Sequence, residues 1–239
     1  MRALVQGASR GIGLELVRQL LARGDEVIAT CRAPEKSEPL QSLQGPTLQL
    51  LELDLEDEES IAAAAANVNG ELDLLMNVAG LLHDGAVQPE KKLGHVEPDA
   101  LHRVFAVNAF GPLLVAKHFG KLLLHRRPAV LANLSARVGS IGDNRLGGWY
   151  AYRASKAALN MFTANLAIEL GRRSAALSVI ALHPGTVKTD LSAPFRKRVP
   201  EDRLFEVSRA AAQLLAITDR VGPEDTGRFF AWDGSSIPW

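Results

Sequence analysis

The stretch ALVQGASRGIGLELVRQLLARGDEVIATC, residues 3–31, reads as strand, glycine-rich turn, helix and second strand. Ala3–Gln6 and Glu26–Cys31 have strand character, and Ile12–Arg23 between them reads as a helix. The turn Gly7-Ala8-Ser9-Arg10-Gly11-Ile12-Gly13 has the spacing G-x-x-x-G-x-G. Glycines placed between a strand and a helix let the backbone turn tightly and approach a pyrophosphate, whose charge then sits at the helix N-terminus. Gly7 to Gly11 also fit G-x-S-x-G, the nucleophile elbow of serine hydrolases, with Ser9 as nucleophile. That elbow needs an oxyanion loop from an earlier strand, and six residues precede Gly7.

Outward from this unit the alternation continues. Strands are predicted at Leu48–Leu53, Leu72–Asn77, Ala129–Leu134, Leu177–Leu182 and Arg228–Ala231. Helices are predicted at Asp57–Asn67, Asp99–His125, Tyr150–Gly171 and Glu201–Thr218, the second breaking near Gly111-Pro112. Strands separated by helices imply βαβ units: an α/β, Rossmann-like, doubly wound parallel sheet with helices on both faces, in one domain spanning residues 1–239. Ligands of such sheets bind beyond the carboxyl ends of the strands, so the irregular stretches 81–98 and 192–200 are candidate substrate loops.

Bulk properties narrow the function class. Apolar residues make up 47% of the 239, charged ones 23%, and 27 Lys and Arg balance 27 Asp and Glu. A neutral chain argues against a nucleic-acid or anionic-membrane partner. Cys31 is the single cysteine, which fits a reducing compartment. With no leader-like opening and no long apolar run, a cytoplasmic location is expected.

The second strand ends at Cys31-Arg32. An NAD site usually places an acid there to hold the ribose hydroxyls, whereas an NADP site offers cations to the 2′-phosphate. No acid follows until Glu35, while Arg32 and Arg10 are at hand. NADP, with NADPH favoured over NADH, is the expected cofactor.

In YAYRASKAALN, residues 150–160, Tyr152 and Lys156 stand four apart on a helix and share a face. A tyrosine in water has a pKa near 10, and a neighbouring ammonium is expected to lower it towards the range useful for general acid–base catalysis. With the glycine turn at one end and this pair in the middle, the chain resembles the short-chain dehydrogenase/reductase family along essentially its whole length. Asp54, followed by Leu55, matches the family's adenine contact. Asn77-Val78-Ala79-Gly80 matches its N-N-A-G motif, with Val for the second Asn. Asn108 matches the catalytic asparagine, and Pro184-Gly185-Thr186-Val187-Lys188-Thr189 matches the motif that receives the nicotinamide carboxamide. DNRLGGWYAYRASKAALN and the ending FFAWDGSSIPW are similar to the C-factor-like branch, sometimes linked to cell signalling.

The resemblance implies a sheet order of 3-2-1-4-5-6-7 and an oxidoreductase acting on a small carbonyl or alcohol substrate. Tyr152 is its proton donor, and Lys156 tunes the tyrosine and holds the nicotinamide ribose. Asn108 anchors a water that relays protons. It also implies a homodimer or homotetramer, paired through the helix of Tyr152 and by the apolar ending Ile237-Pro238-Trp239. A nucleotide-binding signalling protein is the alternative.

Two positions depart from the pattern. Gln6 replaces a threonine that braces the turn, for which a small structural change is expected. The family's serine follows the fifth strand as N-x-S-S, but here the letters are Asn133-Leu134-Ser135-Ala136, which puts alanine at the catalytic position. Alternation along the strand turns Ser135 to the opposite face from residue 136. Ser140 swings in, or a bulge re-aims Ser135, or the site works without the hydroxyl; Ser140 leads. His83, Asp84 and His95 match no zinc spacing and are expected to be solvated, so no metal site is predicted. The run Arg196-Lys197-Arg198 is expected on a substrate loop, and Trp232, Pro238 and Trp239 suggest a packed tail.

Overall fold

A computed structural model describes residues 1–239, apart from the side chain of Arg198. The chain runs through β1 (Arg2–Gln6), α1 (Gly11–Ala22), β2 (Glu26–Cys31), a short α2 (Glu38–Gln41), β3 (Leu48–Glu52), α3 (Glu58–Ala66) and β4 (Leu74–Asn77). There follow α4 (Pro98–Phe105), α5 (Gly111–Phe119), β5 (Ala129–Leu134), α6 (Tyr150–Gly171), β6 (Leu177–His183), β7 (Thr186–Val187), β8 (Leu204–Phe205), α7 (Val207–Thr218) and β9 (Phe229–Ala231). Seven strands form one sheet in the order β3-β2-β1-β4-β5-β6-β9, every pairing parallel. This is the expected order, with β9 as the seventh sheet strand. No helix among the described residues is long and apolar enough to cross a membrane.

Strand periodicity splits the core into two layers. Ala3, Val5, Val27, Ala29, Met76, Ala132 and Ile180 meet Leu16, Val17 and Leu20 of α1 and Leu214 and Leu215 of α7. Their neighbours Leu4, Ile28, Leu75, Leu131 and Val179 meet Ile61 of α3, Val115 and Phe119 of α5 and Leu166 and Leu170 of α6. Parallel strands buried on both faces explain why these runs read as continuously apolar.

The long third helix departs from expectation in part. It is interrupted near Gly111-Pro112 as expected, but by a change of helical pitch and not by an end. The irregularity comes one turn earlier, as a π-helical turn over Ala106–Phe110, and α5 starts at Gly111 with Pro112 in its first turn. The helical backbone continues from α4 through this turn into α5, so Pro112, with no N–H to donate one turn back, removes a ladder bond next to the irregularity. Gly111 has its own reason, since a Cβ would lie 2.6 Å from Leu55 Cβ. The last helix also begins later than predicted. Glu201–Arg203 is a 3-10 turn, and Leu204–Phe205 pairs with Thr186–Val187 in a second small sheet. Phe205 is drawn out of helix by packing, its ring lying against Trp232 at 4.7 Å and under the guanidinium of Arg209 at 4.2 Å.

The apolar tail folds back on its own chain. Ile237 is buried and Trp239 stacks on Phe229 at 5.6 Å, while Pro238 and Trp239 stay exposed, so the ending is packed but still presents apolar surface.

The glycine turn leaves no room for a methyl group. A Cβ on Gly13 would lie 2.1 Å from the Gly7 carbonyl oxygen, whereas one on Gly24, at φ +83°, meets nothing within 4 Å. Gly13→Ala is therefore expected to cost at least about 2 kcal/mol through overpacking, and Gly24→Ala only about 1 kcal/mol through backbone strain. Urea midpoints of the two variants check the ranking.

Candidate active site

The carboxyl ends of β1, β4, β5 and β6 gather the residues singled out by the sequence. Gly7, at φ +87°, and Gly11, at φ +56°, shape the turn after β1. A Cβ on Gly7 would lie 2.6 Å from the Ala79 amide nitrogen, so the turn is pressed against the segment after β4. Gln6 has a part here, its side-chain oxygen accepting from the Ala79 amide at 3.3 Å and joining the two segments as the family's threonine was expected to. At the start of α1 no side chain caps the helix and no acid lies in its first turn. Its first N–H groups, Ile12 among them, are unsatisfied by side chains and suited to a phosphate. Ser9 is half-buried here, its carbonyl facing Ser37 Oγ at 3.4 Å.

Arg10 is not free. Its guanidinium donates to Asp190 at 2.7 Å, with both side chains exposed, and so ties the glycine turn to the segment after β7. Arg32 is exposed at the end of β2. Asp54 accepts from the Glu56 amide at 3.0 Å, while Leu55 turns into the core. Asn77 points inward: its amide donates to Asn133 at 2.8 Å, so the side chain braces β4 to β5, and Val78, Ala79 and Gly80 are the half-buried members of that motif. Gly185, at φ +77°, would bring a Cβ within 2.6 Å of the Phe205 ring, and Thr189 Cγ2 lies 3.4 Å from a Cβ built on Gly11. The motif from Pro184 through Val187 to Thr189 thus reaches from β6 back over the glycine turn.

Tyr152 and Lys156 lie on α6, both buried, with the Lys156 ammonium 5.9 Å from the centre of the Tyr152 ring. Lys156 Nζ donates to the Leu134 carbonyl at 2.8 Å. Burial pushes the phenol up to about 12 and the ammonium down to about 8. The expectation that Lys156 lowers the tyrosine pKa is therefore overturned in this state. Removing both groups from water favours their neutral forms, and that effect outweighs a cation that is turned to a carbonyl.

Asn108 sits in the π-helical turn, fully buried. Its Oδ1 accepts from the Leu81 amide at 2.7 Å, and its Nδ2 donates to the Leu81 carbonyl at 2.8 Å and to Ser155 Oγ at 3.1 Å. Ser155 in turn donates to the Tyr152 carbonyl at 2.9 Å. Sequence reasoning missed Ser155, although its place three residues after Tyr152 and one before Lys156 was the available signal.

The serine question resolves in part. Pairing of β5 with β6 runs without interruption from Ala129↔Leu177 to Leu134↔Leu182, so no bulge re-aims Ser135. Ser135 Oγ donates to Asn160 Oδ1 at 2.6 Å, on the face that carries Asn133 to Thr163. Ser140 is buried at the end of a 3-10 turn over Arg137–Gly139, its oxygen accepting from the Asp143 amide at 3.2 Å. That turn lies against α6, since a Cβ on Gly139 would come within 2.6 Å of Lys156 Cβ.

Both predicted loops reach this region. His83 faces the Leu191 carbonyl at 3.1 Å and the Phe195 ring at 5.7 Å, rather than solvent. Asp84 is paired with Arg103 at 2.6 Å, and His95 closes a 3-10 turn over Leu93–His95. Of the basic run, Lys197 is exposed, and the side chain of Arg198 lies outside the described residues.

Comparison with known proteins agrees with this geometry. Residues 1–200 match the family described as short chain dehydrogenase. The chain is 35% identical over 239 residues to a 1-hydroxy-2-glutathionyl-2-methyl-3-butene dehydrogenase of Rhodococcus sp. (strain AD45), covering 99% of this chain and 98% of the other. It is 35% identical over 178 residues to the C-signal protein of Myxococcus xanthus, covering 74% of this chain and 99% of the other. Among solved structures, the NADPH-bound carbonyl reductase from chicken fatty liver superposes with a TM-score of 0.87 at 32% identity, covering 100% of this chain and 94% of that one.

His183, at the end of β6, precedes the Pro184-Gly185 pair, and its Nδ1 is buried with no hydrogen-bond partner among the described residues. Burial first, and the charge of Arg137 second, push it from 6.5 down to about 4. Between those values the unfolded chain binds a proton that the native state does not, so wild-type stability is lost as pH falls from 6.5 towards 4. His183→Gln removes this loss. The stability difference between wild type and variant should be flat above about pH 7 and fall on the order of 3 kcal/mol by about pH 4, as denaturant titrations across pH would read.

Proposed function

The chain belongs to the short chain dehydrogenase family, and within it we propose an NADPH-dependent carbonyl reductase. The buried Tyr152–Lys156 pair beside an uncapped glycine turn is the observation that carries this reading. NADPH fits the residues present: the first N–H groups of α1 suit its pyrophosphate, Arg32 its 2′-phosphate, Asp54 and Leu55 its adenine end, and Ala79, Gly80 and the Pro184–Thr189 segment its nicotinamide end. When bound, it supplies the hydride that the carbonyl carbon accepts.

The protein's own groups handle the proton. Tyr152, pushed up to about 12, keeps its proton at neutral pH and gives it to the substrate oxygen as negative charge develops there. Run backwards, the same groups oxidise an alcohol. Lys156, at about 8, is mostly protonated at neutral pH and compensates the phenolate that the transfer leaves behind. The Asn108 backbone carbonyl anchors the water that returns a proton to Lys156. Ser140, on the turn packed against α6, takes the place of the hydroxyl that Ala136 lacks. The likeness to the C-signal protein supports a second reading, a nucleotide-binding signalling protein.

Turnover tests separate these roles. With NADPH oxidation measured against a panel of aldehydes, ketones and quinones, Tyr152→Phe should lower kcat about 100- to 10,000-fold while NADPH still binds. In the same assay Ser140→Ala should cost about a hundredfold and Ser135→Ala less, because only the former removes a donor to the substrate oxygen. A Tyr152→Phe protein with near-normal turnover would sink the reductase reading, whereas a signalling role survives that substitution.

Cofactor choice is tested separately. Arg10 is paired with Asp190 only at the surface, a contact weak enough to give way to a phosphate, so Arg32 leads and Arg10 assists. A charge-assisted phosphate contact is worth roughly 1.5–3 kcal/mol, or about ten- to a hundredfold in Kd. NADPH should bind tighter than NADH by that factor, and Arg32→Asp should erase or reverse the difference. Equal affinities of the wild type for the two would refute it.

A further inference from the structure

Trp149 is the one non-glycine residue with a positive φ among the described residues, at +50°. It follows Gly147 and Gly148, at +63° and +65°, so three left-handed residues in succession bring the chain into α6 just ahead of Tyr152. For a bulky side chain this conformation is strained, and it persists only where its surroundings impose it. Glu90, from the loop 81–98, does so. Its carbonyl accepts from the Trp149 amide at 2.6 Å, and both its carboxylate oxygens lie 3.3 Å from the Ala151 amide. The residue is 3% exposed, and α6 has no side-chain cap of its own. Glu90 thus grips the chain on both sides of the strained residue.

The result is an aimed indole. It stands edge-on to the Tyr152 ring at 6.3 Å and 82°, and against Phe195 at 4.9 Å. Phe195 continues the aromatic surface to His83, joining the loops 81–98 and 192–200 beside the phenol. The Arg153 guanidinium, one residue past Tyr152, donates to the carbonyls of Val138, Gly147 and Gly148 and so is held away from the indole face. Flat π surfaces favour flat partners.

Taking Tyr152 as the proton donor proposed above, we infer that Trp149 is the specificity-determining wall of the substrate site. Held by Glu90 as a positioning residue, it selects aryl carbonyl compounds over branched aliphatic ones. Benzaldehyde and 2,2-dimethylpropanal are suitable probes, since neither can enolise. An aromatic contact of this kind is worth about three- to tenfold in affinity. Trp149→Gly relieves the backbone strain, so the fold and the NADPH Kd are kept. KM for benzaldehyde should rise about tenfold while that for 2,2-dimethylpropanal stays level or falls. Glu90→Ala should shift the ratio in the same direction, and Glu90→Gln, which keeps an acceptor, should restore most of it. Calorimetric titration of both aldehydes into NADPH-loaded Tyr152→Phe protein, with and without Trp149→Gly, reads the same preference without turnover. A benzaldehyde preference lost with the indole supports the assignment. Equal change for both aldehydes, or an unchanged ratio in Trp149→Gly, overturns it even where the wild type proves an active reductase. Near-normal turnover by Tyr152→Phe instead overturns the proton-donor role while the binding ratio still judges Trp149.

Discussion

A line of buried polar contacts seats α6 against the carboxyl ends of β4 and β5, and the candidate site depends on it. Thr163 meets Asn133 at 2.9 Å, Asn160 meets Ser135 at 2.6 Å, and Lys156 meets the Leu134 carbonyl at 2.8 Å. Asn133 passes the line on to Asn77. The helix residues are spaced three and four apart, so they share the face turned to the sheet. Each group would cost about 1–3 kcal/mol if left unpaired in the interior, so a helix slipped by one residue would forfeit several partners at once. Apolar packing alone tolerates such slippage, and this polar register does not. Tyr152, one turn before Lys156, inherits its position from that lock.

The same burial shifts how both groups titrate. A phenol and an ammonium on the surface would titrate near their ordinary values. Enclosed at the sheet edge, they move in opposite directions, the phenol up to about 12 and the ammonium down to about 8. At neutral pH the phenol therefore keeps its proton and the ammonium is mostly charged. His183 obeys the same rule on the neighbouring strand, where burial holds the imidazole neutral.

Around this rigid centre lies a less regular shell. The segment after β7 is tied to the glycine turn by Asp190 and Arg10, and through Phe195 it reaches Trp149, which packs on Tyr152. Asn108 clamps the start of the loop 81–98 through both backbone groups of Leu81, and Glu90 in the same loop supports the first turn of α6. The parts that would touch cofactor and substrate are thus held by contacts between loops, a common arrangement where binding has to change those contacts.

The strands, the glycine turn and α6, with its bounds at Tyr150 and Gly171, were legible because the rules that make them act over a few residues: period-two apolar runs, helical spacing, and glycine where the backbone must turn. The place of Tyr152 and Lys156 on one helical face was legible for the same reason. The π-helical turn under Asn108 was not, because its asparagine is satisfied by Leu81 and Ser155, 27 and 47 residues away. Nor was the strand at Leu204–Phe205, drawn out of helix by Thr186 and Trp232. The engagement of Arg10 by a residue 180 positions on was equally hidden, as was the direction of the tyrosine's pKa. By itself the sequence determined which chemical groups exist and which lie close along the chain. Tertiary structure alone decided which of them lose water and which find a partner, because desolvation and pairing depend on distance through space.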